Sequence, residues 1–240
     1  MSENAMIQKT ASVGALSVSE AELEKINSFS LEPLKAEDVY LFKIAVCSNA
    51  QDTDRDNEPL MLSALKGLAE RLKGRTILFD HMPSAKNQVA RIYDTELIED
   101  PLKISEAREI INTLVARCYM VKTESNTDLI AEIKAGIKKE VSVGFSTSGY
   151  VCSICGKEFN KCAHLKGRTY DGKVCRAQIK DCVDAYEVSF VAVPCQVDAG
   201  TRKAAEIADP VEIEKENLAK ARIRINEYFF KEAEKHGNNE

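Results

Sequence analysis

Histidine occurs only three times, aromatic residues make up 6% of the chain, and long apolar runs are missing. No stretch approaches the ~18 consecutive apolar residues that a membrane-spanning helix needs. Met1–Glu20 also lacks a basic segment followed by an apolar block, so neither insertion into a membrane nor secretion is expected. Positive charge is not in excess: 33 basic residues face 38 acidic ones, a net charge of -5. A protein that neutralises phosphates along a duplex is usually basic, and one that holds single strands needs aromatic platforms. Nucleic acid is therefore not an expected partner.

What the chain does have is 240 residues, 44% of them hydrophobic, enough to bury one core with tails beside it. It also has eight cysteines. With no secretion signal and no need for staples, these point to a cytosolic metal site rather than to disulfides.

Residues 1–36 are polar and small and are expected to form a flexible arm. Strand-like runs follow at 38–47, 76–81, 88–93, 108–122, 140–146 and 186–193. Apolar residues at helical spacing predict helices over 60–72 and 127–138. A folded domain is thus expected over 37–200, interrupted by a cysteine-rich excursion at 150–182. Beyond it, Leu218, Ala221, Ile225 and Phe229 share one face of an expected C-terminal helix within a charged tail, 201–240.

Within the excursion, Cys152-x2-Cys155-Gly156 aims two sulfurs at one centre, and Cys162-x-His164 follows closely. Four sulfur and nitrogen ligands suit tetrahedral zinc, and a closed four-ligand set leaves no place for water, so the zinc is expected to be structural. The Cys-x-His spacing is shorter than usual, which leaves Cys175 or Cys182 open as a replacement ligand.

In Glu140-Val-Ser-Val-Gly-Phe-Ser146, alternation puts Ser142, Gly144 and Ser146 on one face, away from Val141, Val143 and Phe145. A serine nucleophile needs such open space and a base. With His164 assigned to the metal and His236 in the charged tail, His81 at the end of an apolar run is the candidate base. A serine on the exposed side of a strand and a histidine in a turn are equally ordinary, and a strand glutamate such as Glu187 is ordinarily solvated.

The order Asp54-Arg-Asp56, Leu78-Phe-Asp-His81, Ala90-Arg-Ile-Tyr93, Lys139-Glu-Val-Ser-Val-Gly144 and Tyr186-Glu-Val-Ser-Phe-Val-Ala-Val-Pro194 resembles tailed-phage prohead proteases. The resemblance runs from about Val39 to Gly200. That family is similar in fold to the herpesvirus assemblins. It implies an α+β fold, a compact and mainly antiparallel β-barrel with surrounding helices, here carrying a zinc-binding insertion and a C-terminal helix. It also implies a serine endopeptidase with Ser142 as nucleophile, His81 as general base and Glu187 as the residue that orients it. The implied substrates and partners are the scaffolding protein and the scaffold-like arm of the major capsid protein, cut in the host cytoplasm inside the procapsid, and the implied assembly is a homodimer. The arginine-containing segment that supplies oxyanion donors in the herpesvirus enzymes has no matched counterpart here. The competing expectation is a noncatalytic, zinc-stabilised capsid-assembly or scaffold-binding module.

Overall fold

The structure is a computed structural model that describes residues 18–52 and 54–201. Its elements begin with α1 (Glu20–Asn27), β1 (Val39–Ser48), α2 (Leu62–Arg71), β2 (Thr76–Phe79), β3 (Ala90–Ile104), β4 (Ile110–Val121) and α3 (Thr127–Lys134). They continue with β5 (Val141–Ser146), β6 (Tyr150–Cys152), β7 (Thr169–Tyr170), β8 (Lys173–Val174), β9 (Ala177–Ile179), β10 (Asp184–Phe190) and β11 (Gly200–Thr201). Seven strands form one sheet in the order β11-β1-β4-β3-β2-β10-β5, antiparallel throughout except for the parallel pair β2–β10.

The strand pairing corrects the expectation of a closed barrel. The edge strands β11 and β5 touch only at one isolated bridge, Glu140–Gly200, flanked by Thr201 N–H to Lys139 carbonyl (2.6 Å) and Val141 N–H to Ala199 carbonyl (3.4 Å). With β11 only two residues long, there is too little strand to complete the ladder. The two edges meet without closing the ring.

One face of the sheet carries the core. Ile44, Ile77, Ile92, Leu114, Val141, Val188 and Phe190 pack there against Leu65, Leu68 and Leu72 from α2 and its C-terminal cap, and Ile133 of α3. Each fully buried leucine of this kind contributes roughly 1.5–3 kcal/mol. Cys47, Cys118 and Cys182 belong to the same core, and burial pushes all three thiols above their ordinary values. These cysteines behave as small apolar side chains.

The expected flexible arm is corrected over its second half. Ser19 and Glu22 form a reciprocal capping box that starts α1. Ile26 of α1 is fully buried in a second cluster with Val39, Tyr93 and Tyr119. Residues 1–17, and the C-terminal helix expected after Thr201, lie outside the described residues.

Polar contacts tie α1 to the sheet. Tyr93 Oη donates to Glu22 (3.0 Å), and Asp94 meets Lys25 (2.5 Å) and Lys73 (3.2 Å). Burial alone would raise both carboxyls. For Glu22 the hydrogen bonds from Ser19 and Tyr93 and the Arg117 charge outweigh it, and for Asp94 the two lysines and the Thr95 amide do so. Both acids are therefore depressed in the folded state, so their stabilisation is complete at neutral pH and is lost as pH falls through the depressed values. Hydrogen exchange, corrected for its intrinsic pH dependence, is expected to show α1 losing protection in acid before β1 and β4. Simultaneous loss in all three would contradict this assignment.

Candidate active site and metal centre

On β10, Val188 and Phe190 point into the core, which turns Glu187 and Ser189 to the opposite face. Both are nonetheless buried. Glu187 Oε1 lies 2.7 Å from His81 Nδ1, and its Oε2 accepts a hydrogen bond from Ser189 Oγ at 2.5 Å. A carboxylate can only accept, so the shared proton belongs to His81 Nδ1 and leaves Nε2 as the lone-pair nitrogen. The Glu187 side chain is 10% exposed and that of His81 41%, so the pair has a protected end and an open one.

His81 does not lie in a strand. β2 ends at Phe79, and both Asp80 (φ 53) and His81 (φ 54) take left-handed backbone conformations. Such residues cost about 1–3 kcal/mol each and persist only when their surroundings hold them. Here Asp80 N–H donates to the Phe190 carbonyl (3.0 Å), and His81 N–H donates to Ser189 Oγ (3.1 Å). Ser189 thus grips the backbone of His81 and the carboxylate of Glu187 together. This role was missed in the sequence, although the Glu187-Val-Ser189 spacing, two residues apart on one strand face, carries the signal.

Ser142 sits directly opposite Ser189 across the β5–β10 ladder, and Gly144 opposite Glu187. Opposed residues share a face with Cβ atoms about 4.5–5.5 Å apart. Ser142 therefore lies on the face that carries His81 and Glu187, as alternation within β5 requires. The structure joins His81 to Glu187 but not Ser142 to His81: the Ser142 hydroxyl makes no side-chain hydrogen bond among the described residues. Gly144 is needed for close approach, because a Cβ there would collide with Glu187 Oε1.

A cavity of about 260 Å³ runs beside β5, walled by Val46, Leu60, Val143 and Ile179 and reaching Ser142 and Gly144. The Asp54-Arg-Asp56 motif lies at this cavity. Asp54 accepts hydrogen bonds from the Asp56 and Glu58 amides (3.0 and 2.9 Å), which shapes the turn. The Cys195 thiol points at Asp54 and Asp56, and burial with these neighbouring carboxylates pushes it up to about 12.

The cysteine-rich excursion builds a separate cluster. β6 and β9 pair with Cys152 opposite Ala177, and Gly156, with φ 71, lets its N–H turn back to the Cys152 carbonyl (2.9 Å). The ligand atoms of Cys152, Cys155, Cys162 and His164 all lie within 4.8 Å of one another. Burial would raise the Cys152 thiol, but the N–H groups of Cys155 and Ile154 and the adjacent thiols outweigh it and favour the thiolate that binds metal. Of the two replacement ligands left open in the sequence, Cys175 lies 3.8 Å from Cys152, whereas Cys182 is in the core beside α2. The excursion is anchored on the segment before α2, through Met61 N–H to the Ile179 carbonyl and Ile179 N–H to the Pro59 carbonyl, both 2.9 Å.

Among the described residues, no helix is long and apolar enough to cross a membrane. No known protein family, curated protein or solved structure matches the chain.

Proposed function

We propose that the protein is a prohead maturation serine endopeptidase that cuts a scaffolding protein, or the scaffold-like arm of a major capsid protein, inside an assembling procapsid in the host cytoplasm. The observation that carries this reading is the 2.7 Å pairing of His81 with buried Glu187 on the sheet face that also bears Ser142. An imidazole held in one tautomer by an acid, beside a serine on a strand stripped of bulk, has the parts of a hydrolytic triad.

In the proposed reaction His81 Nε2 takes the Ser142 proton as Oγ attacks the scissile carbonyl, and Glu187 stabilises the imidazolium. His81 then gives the proton to the leaving amine, and water, activated by the same imidazole, hydrolyses the acyl-enzyme. The serine–histidine hydrogen bond would close when substrate binds, since such bonds are often long in free enzymes. The cavity beside β5 offers room for a substrate side chain. Zinc held by Cys152, Cys155, Cys162 and His164 would supply no chemistry. It would stiffen the excursion that links β5 to β10, and with it the Tyr150 and Ile179 wall of the cavity, while the β5–β10 ladder sets the spacing of Ser142 and Glu187. Enclosure within a procapsid raises the local substrate concentration, so a shallow site suffices.

Two measurements test the proposal. A fluorophosphonate probe is expected to label wild type at Ser142 and not the Ser142→Ala variant. Coexpression with the cognate capsid and scaffolding proteins is expected to give truncated intact masses only with wild type. No labelling together with equal masses would reject proteolysis and favour a zinc-stabilised assembly module.

A further inference from the structure

Beside the four clustered ligand atoms lies a further cysteine, Cys175, against Cys152. Cys152 is buried and Cys155 is exposed on the turn after it. Cys175 is fully buried, and the hairpin β7–β8 delivers it to the same place: its N–H donates to the Arg168 carbonyl and its carbonyl accepts from Gly167 N–H, both 2.8 Å. Tetrahedral zinc with ordinary bond lengths separates two sulfur ligands by about 3.8 Å and a sulfur from a nitrogen by about 3.5 Å. The structure has Cys152 Sγ 3.8 Å from Cys175 Sγ and 3.6 Å from His164 Nδ1. Cys175 thus stands at ligand-to-ligand distance from Cys152, as His164 does.

We infer that Cys155 and Cys175 are interchangeable occupants of one metal-ligand position, the other three being Cys152, Cys162 and His164. This rests on the metal centre proposed above and extends it. The two thiols stand in different surroundings: Cys155 on an exposed turn closed by Gly156, Cys175 on a buried segment fixed by backbone bonds. Exchange between them would let the exposed sulfur leave without release of the ion. The centre would then tolerate chemical loss of its most accessible thiol, which a site of four fixed ligands cannot.

Cobalt(II) and zinc titrations of the full chain test this. Wild type, Cys155→Ser and Cys175→Ser are each expected to bind one ion with tetrahedral cobalt absorption, the single variants within about 10-fold of wild type. The double variant and Cys152→Ser are expected to lose at least 100-fold, as loss of one of three thiolate ligands should. If either single variant falls to the level of the double variant, that thiol is an obligatory ligand and interchange is overturned. A wild-type chain that takes up neither ion overturns the centre itself, and this inference with it. A second readout needs no substitution: N-ethylmaleimide applied to the zinc-loaded wild type is expected to modify Cys155 while the zinc stays bound. Zinc released in step with Cys155 modification would overturn the inference even if the variants misfold.

Discussion

Replacing Glu187 by glutamine is expected to lower kcat/KM for peptide hydrolysis by about 10²–10⁴-fold, the range that general acid–base catalysis supplies. The fold should survive. Glutamine has the same shape, its amide oxygen can still accept from His81 Nδ1, and the Ser189 hydroxyl can rotate to meet the amide nitrogen. What is lost is the fixed negative charge that stabilises the imidazolium. Gly144→Ala gives an independent route to the same end. The added methyl would meet Glu187 Oε1 and push the carboxylate away from His81. An activity loss of about 10²-fold or more is expected, with little change in thermal unfolding, because only the end of a side chain must move. Both variants retaining full activity would remove Glu187 from the proposed mechanism.

Stripping the metal should have the second large effect. The strands of the excursion are two or three residues long, and Leu165 and Val174 are exposed rather than packed. Over residues 153–174 there is no buried apolar side chain to hold the segment, whereas structural zinc supplies on the order of 10 kcal/mol to small metal domains at neutral pH. Chelation is expected to raise amide exchange across residues 150–179 by at least about 100-fold while β1 and β4 stay protected. Activity should fall with it, because this segment supplies Tyr150 and Ile179 to the wall of the cavity beside β5. Unchanged exchange after verified metal removal would show that the excursion folds without an ion.

Where alternation or helical spacing is strong, the sequence is legible. β1, β4 and β5 lie within about two residues of their expected places, as does α2, and β10 within three, because each turns one apolar face to the same core. The misses have local causes. α1 hides in a polar stretch with a single fully buried side chain, Ile26, although the Ser19-x-x-Glu22 capping box marks its start. β3 runs on to Ile104 through Asp94–Lys103, where residues are partly buried or exposed and pairing with β4 rather than an apolar face sustains the strand. β2 stops two residues early because Asp80 and His81 are held left-handed by long-range bonds to β10, which no local pattern can announce. In the candidate site the residue types were legible. Ser189 was not, since its importance comes from a parallel neighbour over 100 positions away in the chain.

The meeting of the two sheet edges has one more consequence. Thr201 ends β11 hydrogen-bonded to the Lys139 carbonyl, just upstream of Ser142. With Val141 N–H bonded in turn to the Ala199 carbonyl, the two ends of the sheet order are stapled together, so fraying of β11 would also loosen the start of the strand that bears Ser142.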